Sequence, residues 1–458
     1  MNNLKKGIIT ILKANLINLI FNLLISFLLP KYLSVESYAY IKSFQLFVSY
    51  IGVLAFGYPD GVYLEYGGKK IDDIDKKQIE SHISTLLIFQ SILSIILLSF
   101  TIFLNDNVLI IVCLSIVPLN MLGIYKLIFQ AVGEYKLYSK ILNSSTILIA
   151  MANLALLLLK IDESIIYNLI YVLVHFFIML FTIFYMKKNH GISITLNFNY
   201  SELINKIKNG FALTVANFSS LLFSSLDRFF IKYLLDIYAF ASYSLAISFE
   251  GFINIAITPI TITLYNFFCN NNGVMVVKKI RKCLMIFSSI IISSFFVLQF
   301  AIEVYLTSYQ SATFVTSILF SCQIVNVVIK GVYTNLYKAD GRQNQYFITL
   351  VKSILFAIVM NVLMYTINQS KESFAIATLM SFVFWMYLCC KDYNQYDLEF
   401  KEILYIIVII PTFIIISKIF VSYIGFTIYI LFDSILVFLL FKKDLIEIIR
   451  SIRTSDIC

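Results

Sequence analysis

Charge is scarce in this chain. Asp, Glu, Lys and Arg make up 13% of its 458 residues, about half the share usual in a soluble domain. A soluble enzyme, a nucleic-acid binder and a disordered scaffold all need more charge than that, and the composition excludes all three. Histidine is scarcer still. His82, His175 and His190 lie far apart and sit beside no evident metal ligand. The seven cysteines, the adjacent Cys389 and Cys390 included, fall in apolar runs or at their ends. They show neither metal-ligand spacing nor a disulfide framework, and read as lipid- or core-facing residues. Gly67-Gly68-Lys69 resembles a phosphate-binding loop but lacks its spacing, so ATP hydrolysis is absent from this chain. No cofactor, metal or catalytic constellation is expected.

What is present is apolar. Hydrophobic residues make up 60% of the chain and mean hydropathy is +0.87. A membrane helix needs about 20 mostly apolar residues. Such runs occur near 8–29, 38–57, 82–104, 107–131, 140–159 and 164–186, then near 210–235, 238–268, 283–306, 313–337, 346–367 and 373–390, with a last pair near 402–421 and 424–441. The expectation is an all-α membrane protein of about fourteen transmembrane helices. The first run is too long for a signal h-region and lacks a small-residue cleavage site, so it reads as a retained helix. Asp456-Ile457-Cys458 matches no lipidation motif.

The formal net charge of +9 follows the loops. One alternating set carries Lys69, Lys70, Lys76, Lys77, Lys187, Lys188, Lys278, Lys279, Arg281, Lys282, Lys442, Lys443, Arg450 and Arg453, among others. The other set has little beyond Lys31, Lys160 and Lys371. By the positive-inside rule both termini face the cytoplasm, and no outward loop is large.

Two patterns recur. Ser37-Tyr38 with Ser43-Phe44-Gln45-x-Phe47 returns as Ser242-Tyr243 with Ser248-Phe249-Glu250-x-Phe252, at an offset of 205. Ala131, Gly133, Tyr138, Leu142, Ser145 and Asn153 return as Ala339, Gly341, Tyr346, Leu350, Ser353 and Asn361, at an offset of 208. A loop indel of three residues reconciles the two offsets. An even number of helices per copy makes a parallel repeat. The chain therefore divides into a six-helix lobe at 1–190, a second at 191–395, and a two-helix hairpin with a tail at 396–458. Folds of this kind hold substrate between the halves and rock them.

Polar residues inside spans are expensive and point to cavities or partners. The tenth run carries Gln323, Asn326, Lys330 and Thr334 on one face. The seventh carries Asn217, Ser220, Ser224 and Asp227, with Arg228 alongside. The second carries Lys42, Gln45 and Ser49, the eighth Glu250, Asn254, Thr258 and Thr261 with a kink at Pro259, and the first Asn15, Asn18, Asn22 and Ser26. The bland alternatives stay open. Lys42, Arg228 and Lys232 sit where they can snorkel, Asp227-Arg228 can be a local pair, and the asparagines can be helix-helix glue. Lys330 and Glu250 lie deeper and favour function. Lys13 reads as snorkelling, and Lys126, Lys352, Lys418 and Asp433 rank low.

Leu226-Asp227-Arg228-Phe229-Phe230-Ile231 followed by Ala241-Ser242-Tyr243-Ser244-Leu245-Ala246 resembles the seventh-to-eighth helix signature of Wzx-type O-antigen and polysaccharide flippases. These belong to the multidrug/oligosaccharidyl-lipid/polysaccharide (MOP) exporter superfamily. Pro30-Lys31-Tyr32-Leu33 with Glu36 and Tyr38, and Gly133-x-Tyr135-Lys136-x-Tyr138-Ser139, carry the same resemblance. Ala39 and Ala241 depart from it, standing where glycine is common. The resemblance implies a MATE-like fold in a bacterial inner membrane, active in O-antigen or other lipopolysaccharide and polysaccharide biosynthesis. The implied cargo is an undecaprenyl-diphosphate-linked oligosaccharide, moved to the periplasmic leaflet. A polysaccharide polymerase and a chain-length regulator are implied partners, beside membrane lipid and a coupling proton or sodium. Lys330, Arg228, Lys42, Gln323 and Asn326 would then bind substrate, with Glu250 or Asp227 coupling the ion. An ion-coupled multidrug exporter of the same superfamily is the nearest rival. A major-facilitator transporter lacks support, since Gly57-Tyr58-Pro59-Asp60-Gly61 is not that family's basic signature. A membrane polysaccharide polymerase would need a large external loop.

Overall fold

Backbone polar groups inside a bilayer are satisfied only within helices or closed barrels, and helix is what every apolar run forms. The computed structural model describes residues 2–67, 69–70, 74–195, 197–270 and 273–453, with no strand among them. In order come α1 (Asn2–Tyr32), α2 (Val35–Val48), a 3-10 turn (Ile51–Ala55), α3 (Tyr58–Tyr66), α4 (Lys76–Phe103), α5 (Asn107–Ala131), α6 (Tyr135–Leu158) and α7 (Ser164–His190). Then follow α8 (Tyr200–Leu234), α9 (Ile237–Asn270), α10 (Val274–Ile292), α11 (Phe295–Val304), α12 (Ala312–Val328), a π-helical turn (Ile329–Tyr333) and α13 (Thr334–Ala339). The chain ends with α14 (Gln343–Ile367), α15 (Lys371–Asp392), α16 (Phe400–Ile419) and α17 (Ser422–Arg453).

All fourteen apolar runs are thus helical. Among the described residues ten spans are long and apolar enough to cross a membrane, and eleven if α2 and α3, bent by 61°, count as one. The chain is a multi-pass membrane protein. Short polar side chains start its helices: Ser34, Asp75, Asp106 and Ser370 each accept from a backbone N–H of the first turn. Glu399 and Glu402 form a capping box on α16. The side chains of Lys13, Asn15, Thr258, Pro259, Lys443, Arg450 and Arg453 lie outside the described residues.

Two compact units result, Met1–Leu222 and Phe223–Cys458, with their border inside α8. In the first, α5 is central and packs against α2, α3, α4, α6 and α7. In the second, α12 is central and packs against α9, α10, α15 and α16. These are the two most deeply buried of the spans, and they are counterparts in the sequence repeat. Their lengths differ by the same three residues as the two repeat offsets. The offset is 205 between the helix starts, Asn107 and Ala312, but 208 between the ends, Ala131 and Ala339. The second copy's helical span is thus three residues longer, and it is the one that contains the π turn.

In the first unit α3 meets α8 backbone to backbone. Gly57 adopts φ +90° at the bend, and a Cβ on Gly210 would lie 2.0 Å from the Gly57 carbonyl oxygen. Only glycine permits that approach. In the second unit α16 and α17 are bound by buried polar groups. The Tyr405 hydroxyl donates to Asp433 Oδ1 at 2.6 Å, Ser289 Oγ to Asp433 Oδ2 at 3.0 Å, and the Tyr429 hydroxyl to the Ser289 carbonyl at 2.9 Å.

Candidate functional site

The second unit gathers six of the seven candidate residues. On α8, Asp227 is buried and accepts from the Tyr243 hydroxyl, from Thr378 Oγ1 at 3.0 Å and from the Arg228 backbone N–H at 2.7 Å. On α9, Glu250 accepts from Gln323 Nε2 at 2.5 Å, and Gln323 Oε1 accepts from Asn326 Nδ2 at 2.9 Å. Asn326, Gln323 and Glu250 therefore form one directed chain from α12 to α9. The fields of Lys330, Asp227 and Arg228 all reach the Glu250 carboxylate. In a low-dielectric interior such couplings are strong.

Lys330 sits in the π turn, Ile329–Tyr333. The local sequence Val327-Val328-Ile329-Lys330-Gly331-Val332 combines β-branched residues with glycine, neither favouring regular helix. Gly331 packs closely, and a Cβ there would lie 2.7 Å from Leu284 Cδ1, so that side chain would have to shift. Asn335 Nδ2 donates to the Gly331 carbonyl at 3.0 Å and to the Thr261 carbonyl at 2.8 Å, stitching the turn to α9. Irregular turns of this kind frequently mark functional sites. Among the described residues no group donates to two buried oxygens here, Asn326 Oδ1 and Thr334 Oγ1. Arg228 Nε is likewise unmatched. Such groups are costly unless another molecule meets them.

Lys42 belongs to the first unit. It donates to Gln45 Oε1 at 3.1 Å and lies 5.3 Å from the Tyr38 ring centroid. Tyr38 and Tyr243 are the repeated tyrosines of the Ser-Tyr motif, and both are buried. Each packs on a charged candidate, Lys42 in one copy and Asp227 in the other. Tyr243 and Thr378 are thus site residues that the polar-stripe reading missed, although the repeat had marked the tyrosine.

Two further charged clusters escaped the sequence. Arg281, counted with the loop cations, is fully buried inside α10. Its Nε donates to Glu402 Oε1 at 2.9 Å and its Nη2 to Oε2 at 2.6 Å, a bidentate pair. Nη1 donates to the Tyr333 hydroxyl at 3.1 Å and to the Tyr396 carbonyl. In the first unit, buried His82 lies 3.2 Å from Glu65 Oε2 and 2.7 Å from Glu202 Oε1. Lys206 also pairs with Glu65, while Ser81 donates to Glu202 Oε2 at 2.6 Å. Glu202 lies at the start of α8, outside the spans. Burial pushes its carboxyl up, but hydrogen bonds from His82, Ser81 and Tyr58 outweigh burial and hold it below the ordinary carboxylate value. Among the described residues no group of His, Cys, Asp or Glu is arranged to hold a metal ion.

No protein-family model and no curated protein matches the chain. Solved structures do. One is the lipid II flippase MurJ in an inward closed conformation, with a TM-score of 0.64 at 15% identity, over 96% of this chain and 99% of that one. The fold is that of MurJ and the MATE transporters. An inward-facing multidrug resistance MATE family transporter of the MOP superfamily aligns with a TM-score of 0.54 at 13% identity, over 83% and 95% of the two chains. The MATE multidrug transporter DinF-BH, in a ligand complex, aligns with a TM-score of 0.50 at 16% identity, over 86% and 94%. At these identities the likeness concerns fold, and the all-helical, MATE-like fold expected from the sequence is the one found.

Proposed function

We propose that this protein is a flippase that carries a polyprenyl-diphosphate-linked oligosaccharide, an O-antigen or capsular repeat unit, across the bacterial inner membrane by alternating access. The observation that carries the reading is the buried polar chain Asn326–Gln323–Glu250, with Lys330 in the π turn one helical turn beyond Asn326. A diphosphate leaving water needs a cation to offset desolvation, and the open Asn326 and Thr334 oxygens suit sugar hydroxyls. The lobes at 1–190 and 191–395 rock about the cargo, with the 396–458 hairpin outside them and both termini in the cytoplasm. Polymerase and chain-length regulator would take up the product.

Coupling follows from charge. While Glu250 is ionised it neutralises Lys330. A proton on Glu250 leaves Lys330 as an uncompensated cation, so proton and diphosphate favour one another's binding, and linkage makes the effect reciprocal. Arg228 and Lys42 would contact the headgroup at other stages, and Asp227 is the second carboxylate available to an ion. In cells lacking the gene, lipid-linked oligosaccharide should accumulate on the cytoplasmic leaflet, with relief by the intact gene but not by Lys330→Ala. Equal relief by both would remove Lys330 from the mechanism.

One observation favours a second reading. Two of the three similar structures are multidrug transporters, and the site holds two carboxylates. An ion-coupled drug exporter would show unchanged surface polysaccharide and raised sensitivity to cationic drugs on deletion.

A further inference from the structure

The first unit carries a recess of about 470 Å³ that has no part in the site above. It lies between α6 and α7, which pack together, beside the end of α5. Its size falls in the range of about 300–1,000 Å³ usual for small-molecule sites. Its walls are apolar, formed chiefly by Phe129, Ile141, Leu148, Phe177 and Phe181, and Leu148, Phe177 and Phe181 are exposed on the unit's surface. One end differs. Lys140 and Tyr185 line it, and Lys140 stands two helical turns before Leu148 on one face of α6, about 12 Å away along the axis. Lys136 lies one turn earlier, and Lys187 and Lys188 directly follow the Tyr185 turn of α7. Against these four cations stands Glu134, at the first residue before α6.

A polar cationic rim over a long apolar trough has the polarity of one lipid molecule, head at the lysines and chain toward Leu148 and Phe177. We infer that the α6–α7 recess is a binding site for an anionic phospholipid, its phosphate at Lys140 and one acyl chain along Phe177 and Phe181. Charge complementarity selects the headgroup. Anionic lipids gather where basic residues flank a span, and each basic residue near the surface contributes about a fivefold preference.

The chain's single tryptophan, Trp385, is buried in the second unit and supplies a constant, shielded background for a fluorescence test. Phe181→Trp protein would be reconstituted into vesicles doped with dibrominated phosphatidylglycerol or dibrominated phosphatidylcholine at equal mole fraction. Phosphatidylglycerol should quench the introduced indole at about a fivefold lower mole fraction. Lys140→Gln in the same background should erase that difference, and Lys140→Arg should retain it. Equal quenching by both lipids in the Lys140 protein would overturn the inference. So would relief of quenching by a polyprenyl diphosphate but not by unlabelled phosphatidylglycerol, because the recess would then serve the isoprenoid cargo. Should Phe181→Trp fail to fold, Leu148→Trp reads the same trough.

Discussion

The two units hold their buried charges differently. In the first, charges close on one another. His82 sits between Glu65 and Glu202, and Lys206 completes the set at the lysine-rich end of the spans. In the second, Arg281 and Glu402 also close on one another, but Asp227 accepts from Tyr243 and Thr378 and Glu250 accepts from Gln323 rather than pairing with a cation. The central helices differ in the same sense. α5 runs unbroken for 25 residues, whereas its counterpart is interrupted by the π turn that holds Lys330. A duplicated lobe has kept one copy regular and made the other irregular at the residue best suited to an anion.

That contrast can be broken by substitution. The largest stability effect belongs to the one closed pair of the second unit described above, Arg281 with Glu402, both fully buried. Glu402→Gln should cost about 3–5 kcal/mol by stranding a buried guanidinium, measured by thermal unfolding in detergent. Arg281→Met with Glu402→Leu should recover most of it. Next comes the α3–α8 seam. Gly210→Ala forces backbone apart at Gly57 and should cost about 3 kcal/mol, so a Gly210→Ala protein as stable as the parent would show that the seam is loose.

Smaller is the His82 cluster. Because the folded Glu202 carboxyl lies below its ordinary value, its contribution is present above that value and is lost as pH falls through the lower, folded one. Stability should drop on acidification, and Glu202→Gln should be less stable near neutrality by about 1–2 kcal/mol yet flatter with pH. Parallel pH profiles for parent and variant would rule this out. Smallest is Lys42→Ala, which should change stability by about 0.5 kcal/mol or less while slowing transport. A destabilised variant with normal transport would make Lys42 a structural residue.

Much of this was legible in the sequence. The helical character of the apolar runs follows from their length, because the bilayer imposes one ruler on every span, although ten or eleven of the expected fourteen meet that ruler among the described residues. The repeat identified the counterpart helices, and intramembrane charge picked out Lys330, Glu250 and Asp227. What escaped depends on tertiary placement. Arg281 lies among Lys278, Lys279 and Lys282 and so reads as loop, although α10 begins before it and Glu402 waits 121 residues away. His82 meets Glu202 across 120 residues, and no spacing rule reaches that far. The π turn leaves the polar stripe intact, so periodicity alone could not expose it.

The central claim is that Glu250 and Lys330 couple a proton to the headgroup. The direct measurement is transbilayer movement of a fluorescent polyprenyl-diphosphate oligosaccharide in proteoliposomes with and without an imposed proton gradient. The parent protein should flip faster when the gradient runs in the direction of headgroup movement than against it, Glu250→Gln should flip at one rate in all conditions, and Lys330→Ala should not flip in any. Gradient-stimulated flipping by Glu250→Gln at the parent's rate would contradict the account.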